Sequence, residues 1–375
     1  MLHEQIHLKL EDTINYGSYY TPKSIVDMVY NMLHQNIINF SEYIIMDTSC
    51  GYGNFLRNKN SIGADFDDTA ILRAKQQNPE CCFFHHNSLH NVSRRQYNLT
   101  PADKLIIVGN PPYNDTTSLV RKNLKQKNSE IDTDLISRDL GVSFLLSYNK
   151  LEADYICVLH PLSYLIKKTN FESLKQFKNN YILIDSVIIS SGEFSSTSKA
   201  TQFPIIIALY KRDKQGMSYE NILDNTFSTK DGPKFCLRAW DKLSNYITKY
   251  PNKNEKDCIA HFYTMRDINA LKRSRTFIAS ESYNSIRVSR DKLALYCYAD
   301  VFKEYIQHIP YYFGNSDIII SYNEFRKLQD AFMQKSLSKY DFLKHLLPSN
   351  KVYDDTVIRN YFKSLLGEYY EDLES

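Results

Sequence analysis

Four short apolar runs, each ending abruptly in a polar or glycine-bearing loop, leave this chain few folds to choose from. They are Tyr43-Ile44-Ile45-Met46, Ser61-Ile62-Gly63-Ala64, Cys81-Cys82-Phe83-Phe84 and Leu105-Ile106-Ile107-Val108. Runs this short and this continuous suit strands buried on both faces. Helical spacing is predicted from Lys23 to about Gln35, through Ile25, Met28, Val29 and Met32, and again from Asp68 to Gln76. The alternation reads as a βαβ series with a parallel sheet. Three further runs, Tyr155–Leu159, Tyr181–Ile189 and Phe203–Tyr210, extend it. The polar residues that close the first four runs, Asp47, Asp65, Asn87 and Asn110, then lie at strand carboxyl ends. They converge on the edge where open α/β sheets bind ligands.

The fourth run closes in Gly109-Asn110-Pro111-Pro112-Tyr113. Neither proline has an N–H to donate, so the sheet cannot continue through them. Asn110, preceding a proline, is pushed toward an extended conformation. The turn therefore sets an amide side chain beside a bare backbone carbonyl, with an aromatic ring three residues on. Two acceptor oxygens and a stacking ring suit a planar group that carries an NH2, such as adenine. Read plainly, the same residues are a strand end, a proline turn and a surface tyrosine.

The other loops add to this. Asp47-Thr48-Ser49-Cys50-Gly51-Tyr52-Gly53 reads as a glycine turn leading into a helix, whose N–H groups would face a ligand. It matches neither a GxGxxG dinucleotide loop nor a lysine-bearing phosphate loop. Asp65 stands where a carboxylate accepts both hydroxyls of a ribose. Asp67 is expected to cap the next helix. Asn87, in His85-His86-Asn87-Ser88, is placed to bond a nucleotide base. Thr21-Pro22 reads as a helix start, with threonine as the cap and proline at the first helical position. Phe194, isolated in the polar run Ser190–Gln202, needs something to pack on.

Composition matters in three places. Seven cysteines without paired spacing read as free thiols, and adjacent pairs such as Cys81-Cys82 or His85-His86 face opposite ways, so no metal site is expected. No apolar run reaches the ~18–20 residues that span a bilayer, and the start Met1-Leu2-His3-Glu4-Gln5 does not read as a signal peptide, so a cytoplasmic protein is expected. The net charge is only +3, which makes clustering of charge more informative than its sum. Arg121, Lys122 and Lys125 form one cluster after the proline turn. Lys272, Arg273 and Arg275, then Arg287, Arg290 and Lys292, form two more around Tyr283-Asn284-Ser285. Such side chains hold phosphates and read base edges, and equally form ordinary solvated faces. A linker-like run, Lys211–Gly216, separates the βαβ region from a remainder without that alternation, in which 259–271, 290–306 and 323–347 look helical. Two domains are expected, residues 1–213 and 214–375.

In their order, Gly17-x-x-Tyr20-Thr21-Pro22, Asp47-x-x-Cys50-Gly51-Tyr52-Gly53, Asp65, Asn87 and Asn110-Pro111-Pro112-Tyr113 resemble the motifs of gamma-class DNA amino-methyltransferases. The resemblance covers roughly residues 16 to 212. It implies a seven-stranded Rossmann-like sheet binding S-adenosylmethionine, followed by a mixed or mainly helical target-recognition domain. It implies that Tyr20, Thr21 and Pro22 border the methionine end. Asp47, Ser49, Cys50, Gly51 and Gly53 would hold the cofactor, Asp65 and Phe66 its ribose side, and Asn87 and Ser88 its adenine. Asn110, Pro111, Pro112, Tyr113 and Phe194 would grip a flipped-out adenine for transfer to N6. Thr48-Ser49 and Tyr52 depart from the smaller residues usual in the first motif. Arg121, Lys122, Lys125, Arg273, Arg275, Arg287 and Arg290 are the candidate DNA contacts. The expected partner is double-stranded DNA, with a monomeric enzyme and a cognate restriction endonuclease acting on the same site without a stable complex. Alternatives are transfer to an RNA base, to cytosine N4 or to a protein glutamine amide, or a non-catalytic DNA-binding partner.

Overall fold

The structure, a computed structural model, describes residues 21–113, 131–194, 202–253, 255–348 and 353–372. The chain divides into two compact units, Met1–Lys230 and Asp231–Ser375. The division falls later than the linker-like run suggested, because Lys211 and Arg212 complete a strand and another strand follows.

The first unit is built on a mostly parallel sheet. Its strands are β1 (Ile44–Asp47), β2 (Ser61–Asp65), β3 (Cys82–His85), β4 (Leu105–Gly109), β5 (Tyr155–Pro161), β6 (Tyr181–Ser190), β7 (Pro204–Arg212) and β8 (Thr226–Thr229). Their order is β3-β2-β1-β4-β5-β7-β6-β8. β1, β2, β3, β4 and β5 pair in parallel, whereas β7 runs antiparallel between β5 and β6. All seven expected strands form. β8 is an eighth, parallel to β6, which the seven-stranded expectation lacked. β4 is buried along its whole length, as its unbroken Leu-Ile-Ile-Val run requires of a central strand.

Helix α1 (Lys23–Asn36) buries Ile25, Val26, Val29, Tyr30, Met32 and Leu33, the face its spacing predicted. Its start differs from expectation: Pro22 is the N-cap residue and no side chain caps the helix. Helix α2 (Asp68–Gln77) is capped as expected, with Asp67 accepting from the Thr69 and Ala70 N–H groups. No helix follows the glycine loop, because residues 51–55 form successive turns and β2 begins at Ser61. Helix α3 (Leu140–Lys150) precedes β5.

The second unit holds a short strand β9 (Phe235–Cys236) and a three-stranded antiparallel sheet of β10 (Ala260–Tyr263), β11 (Phe277–Ile278) and β12 (Ser285–Val288), with β10 central. Residues 259–263 were expected to be helical. Of these, Ala260–Tyr263 form β10, and only α4 (Ile268–Arg273) keeps that prediction. The larger helices are α5 (Leu293–Tyr305), α6 (Tyr322–Leu337) and α7 (Asp355–Leu366). α5 is apolar nearly all round and is correspondingly buried.

One backbone position fixes the carboxyl edge of the first sheet. Gly109 has φ +145°, and a Cβ there would stand 2.7 Å from Asp47 Oδ1. The last residues of β1 and β4 therefore meet without a side chain between them. Gly109→Ala should lower the unfolding free energy by about 1–3 kcal/mol. Urea titration checks this, and an unchanged midpoint would show that the Asp47 side yields freely.

Candidate active site

The carboxyl ends of β1, β2, β3 and β4 bring together most of the residues singled out in the sequence. Asn110 follows β4 directly. Its Nδ2 donates to Thr21 Oγ1 at 3.2 Å, which joins the Thr-Pro segment to the proline turn. The Thr21 hydroxyl, expected to cap α1, serves Asn110 instead. The Asn110 Oδ1 is buried and has no hydrogen-bond partner among the described residues. Pro111 and Tyr113 are buried, and Pro112 is half-buried.

The acids lie beside this turn. Asp47 is buried and accepts from the Ser49 N–H at 3.0 Å. Burial pushes its carboxyl up to about 8, with the Ser49 N–H pulling it down and the Asp65 charge pushing it further up. Asp65 accepts from the Gly51 N–H at 2.8 Å and from the Asp67 N–H at 3.0 Å. Burial raises its carboxyl as well, against the pull of those two bonds. Gly51 and Gly53 have φ of 52° and 81°, the left-handed region that favours glycine. A Cβ on Gly53 would meet Asn78 Nδ2 at 2.8 Å. Within this loop Ser49 Oγ and Asn54 Oδ1 are buried without partners among the described residues. Phe66, next to Asp65, is 60 % exposed.

Other expected residues take different places. Cys50 packs with Leu56 and Ile71 beneath the loop, and burial holds its thiol far above the ordinary range, so it forms wall rather than contact. The Asn87 Oδ1 accepts from the Leu89 N–H at 3.0 Å and shapes the turn after β3, while Ser88 is buried beside it. Phe194 is 2 % exposed at the end of the 3-10 turn after β6, so its ring packs on protein rather than standing in an open loop. Tyr20, Arg121, Lys122 and Lys125 lie outside the described residues. Among the described residues no His, Cys, Asp and Glu group could hold a metal ion, and no helix is long and apolar enough to cross a membrane. Asn54 carried no signal in the sequence, since its buried amide oxygen is apparent only in the folded loop.

In the second unit Arg273, Arg275 and Arg290 are exposed. Arg275 lies over the Tyr263 ring at 5.6 Å. Arg287 differs: its guanidinium forks onto both oxygens of Glu281, at 3.0 and 3.2 Å. That bidentate pair neutralises the arginine locally.

A scan against protein-family models and a search of curated proteins each found no match. Solved structures give wider likenesses. The chain is similar to a type I restriction-modification methyltransferase subunit from Streptococcus thermophilus (12% identity, 60% of this chain, 49% of that chain, TM-score 0.41). It is similar to a candidate modification subunit of a type I restriction enzyme from Vibrio vulnificus (17%, 62% and 54%, TM-score 0.41). It is also similar to a candidate RNA methyltransferase from Pyrococcus horikoshii (11%, 53% and 88%, TM-score 0.35). The chain spans about half the length of the two restriction-modification subunits. Overlap this shallow leaves the chemistry to the geometry of the site itself.

The Asp47 carboxyl has a folded-state pKa above its ordinary value of 3.8, so the folded chain binds that proton more tightly than the unfolded chain. Its contribution to stability is full below that ordinary value and is lost as pH rises toward about 8. Asp47→Asn, neutral and nearly isosteric, is expected to flatten the fall in stability between about pH 5 and pH 8. Urea midpoints at the two pH values measure this; equal slopes in both proteins would contradict a buried proton on Asp47.

Proposed function

We propose that the chain is a methyltransferase that uses S-adenosylmethionine and methylates the exocyclic N6 of an adenine flipped out of duplex DNA. The observation that carries this reading is the Asn110 Oδ1, buried just after β4 and without a hydrogen-bond partner among the described residues, with the Pro111 carbonyl next in the chain. An amine offering two hydrogens fits those two acceptors. Holding both hydrogens favours a tetrahedral nitrogen, whose lone pair is otherwise delocalised into the base, and so stabilises the transition state more than the ground state. Tyr113 would stack on the base and replace the stacking given up on leaving the duplex.

The remaining polar groups of the edge fit the cofactor. Asp65 keeps acceptor capacity beyond its two backbone bonds and would take the ribose hydroxyls. Phe66 would cover the adenine, and Asn87 and Ser88 would border it. The turns of Gly51 and Gly53, with the Ser49 hydroxyl and the Asn54 amide oxygen, would line the path to the methionine end, near Thr21 and Pro22. The cofactor supplies an electrophilic methyl group on a sulfonium. Direct in-line transfer to a positioned amine needs no covalent intermediate on the protein.

Asn110→Ala should cut methyl transfer on the order of 100- to 1,000-fold, with cofactor affinity within about threefold. Transfer of labelled methyl groups to unmethylated duplex DNA, with mapping of the modified base, tests the whole reading. N6-methyladenine at one short sequence is the expected product. Methylation of RNA or of a protein glutamine, but not of DNA, would replace the proposed substrate. Loss of cofactor binding in Asn110→Ala equal to the loss of turnover would contradict the role given to that residue.

The second unit would hold the DNA through Arg273, Arg275 and Arg290, with Arg287 bracing the loop at Glu281. Replacing the three by alanine should weaken DNA binding and flatten its salt dependence by about 0.9 in the log–log slope for each phosphate no longer neutralised. Unchanged affinity and slope would remove this surface from the interface.

A further inference from the structure

Behind Tyr113 lies a chain of buried and half-buried groups that the transfer chemistry does not use. Asp139 is the N-cap of α3, and its Oδ1 accepts from the Gly141 N–H at 3.0 Å and from the Tyr164 hydroxyl. Tyr164 is 2 % exposed. Its ring lies flat on His160, with centroids 5.2 Å apart and planes 10° apart. His160 is fixed at both nitrogens: Nδ1 is 3.0 Å from the Pro161 carbonyl and Nε2 is 2.7 Å from the Tyr210 hydroxyl. A carbonyl only accepts, so Nδ1 carries the proton and Tyr210 donates to Nε2. Burial lowers the His160 pKa to about 4, which keeps the ring neutral and in that one tautomer near neutral pH. Burial and the Asp139 charge push the Tyr164 hydroxyl far up, which keeps it the donor.

Gly141 connects this chain to the proline turn. A Cβ there would lie 2.6 Å from Tyr164 Oη and 3.0 Å from Tyr113 Cβ. The two tyrosines flank one backbone point that has no room for a side chain. The first turn of α3 is thus the seat of Tyr113, and the Asp139–Tyr164 bond fastens that seat to the short helix Ser163–Ile166 that follows β5.

We propose that Tyr164 is a positioning residue for Tyr113: through Asp139 and the first turn of α3 it fixes where the Tyr113 ring can stand. The consequence for catalysis rests on the reading of Tyr113 as the ring that stacks on the methyl acceptor. The positioning itself is a property of the ligand-free protein.

The test separates the two. 3-Fluorotyrosine placed at position 113 of the full chain should give one narrow fluorine resonance. Tyr164→Phe keeps the stack on His160 and removes only the bond to Asp139. It should shift or split that resonance, and Asp139→Ala should do the same. Asp139→Asn keeps an acceptor oxygen and should restore a signal close to wild type, which also covers the case in which Tyr164→Phe does not fold. In methyl transfer Tyr164→Phe should lower kcat roughly tenfold to hundredfold, as small misplacements of a reacting group do. The KM for DNA and the cofactor affinity should stay within about threefold. An unchanged resonance in both Tyr164→Phe and Asp139→Ala would overturn the proposal. A changed resonance in a chain that methylates no DNA would uphold the positioning and refute the substrate reading.

Discussion

The Asn110–Thr21 hydrogen bond sets the chemistry of the whole edge. An amide has one donor end and one acceptor end, and giving the nitrogen to Thr21 at 3.2 Å leaves the buried oxygen without a partner among the described residues. A buried acceptor without a partner is costly, of the order of 1–3 kcal/mol. A fold keeps such a group where a ligand satisfies it. The proline turn makes the arrangement rigid, since neither Pro111 nor Pro112 can rotate about φ to relieve it. The bond also ties the start of α1 to the end of β4, so two segments distant in sequence form one wall.

The electrostatics of the same edge point the same way. Asp47 and Asp65 are both held above the ordinary carboxylate range, mainly by burial, and the Asp65 charge further raises Asp47. Two neighbouring acids in low dielectric favour a ligand with positive charge and with hydroxyls to donate. The sulfonium, ammonium and ribose of the proposed cofactor have those properties. Gly109 makes the pair possible: with any Cβ at that position, the Asp47 carboxylate could not stand where it does.

Much of this was legible in the chain. The strands were visible because β1, β4, β5 and β7 are continuous apolar runs, and their shared carboxyl edge followed from the parallel βαβ pattern. Less legible were features that depend on what a side chain finds in space. Thr21 had the signature of a helix cap, yet tertiary contact gave its hydroxyl to Asn110. The glycine loop looked like the approach to a helix, and it forms successive turns instead. Phe194 looked stranded in a polar loop and is buried. Arg287 looked like its basic neighbours until Glu281 was found across it. For Thr21, Phe194 and Arg287 local propensity was sound, and contacts made in the folded chain decided otherwise.

The sequence by itself determined the α/β sheet, the alignment of its polar loops, and the pairing of an amide with a proline-bound carbonyl, because strand periodicity and proline geometry are local properties. Only the tertiary structure decided the direction of the Asn110 amide, the contact of Gly109 with Asp47 and the seating of Tyr113 on Gly141. Those depend on distances between residues far apart in the chain, and no local pattern encodes them.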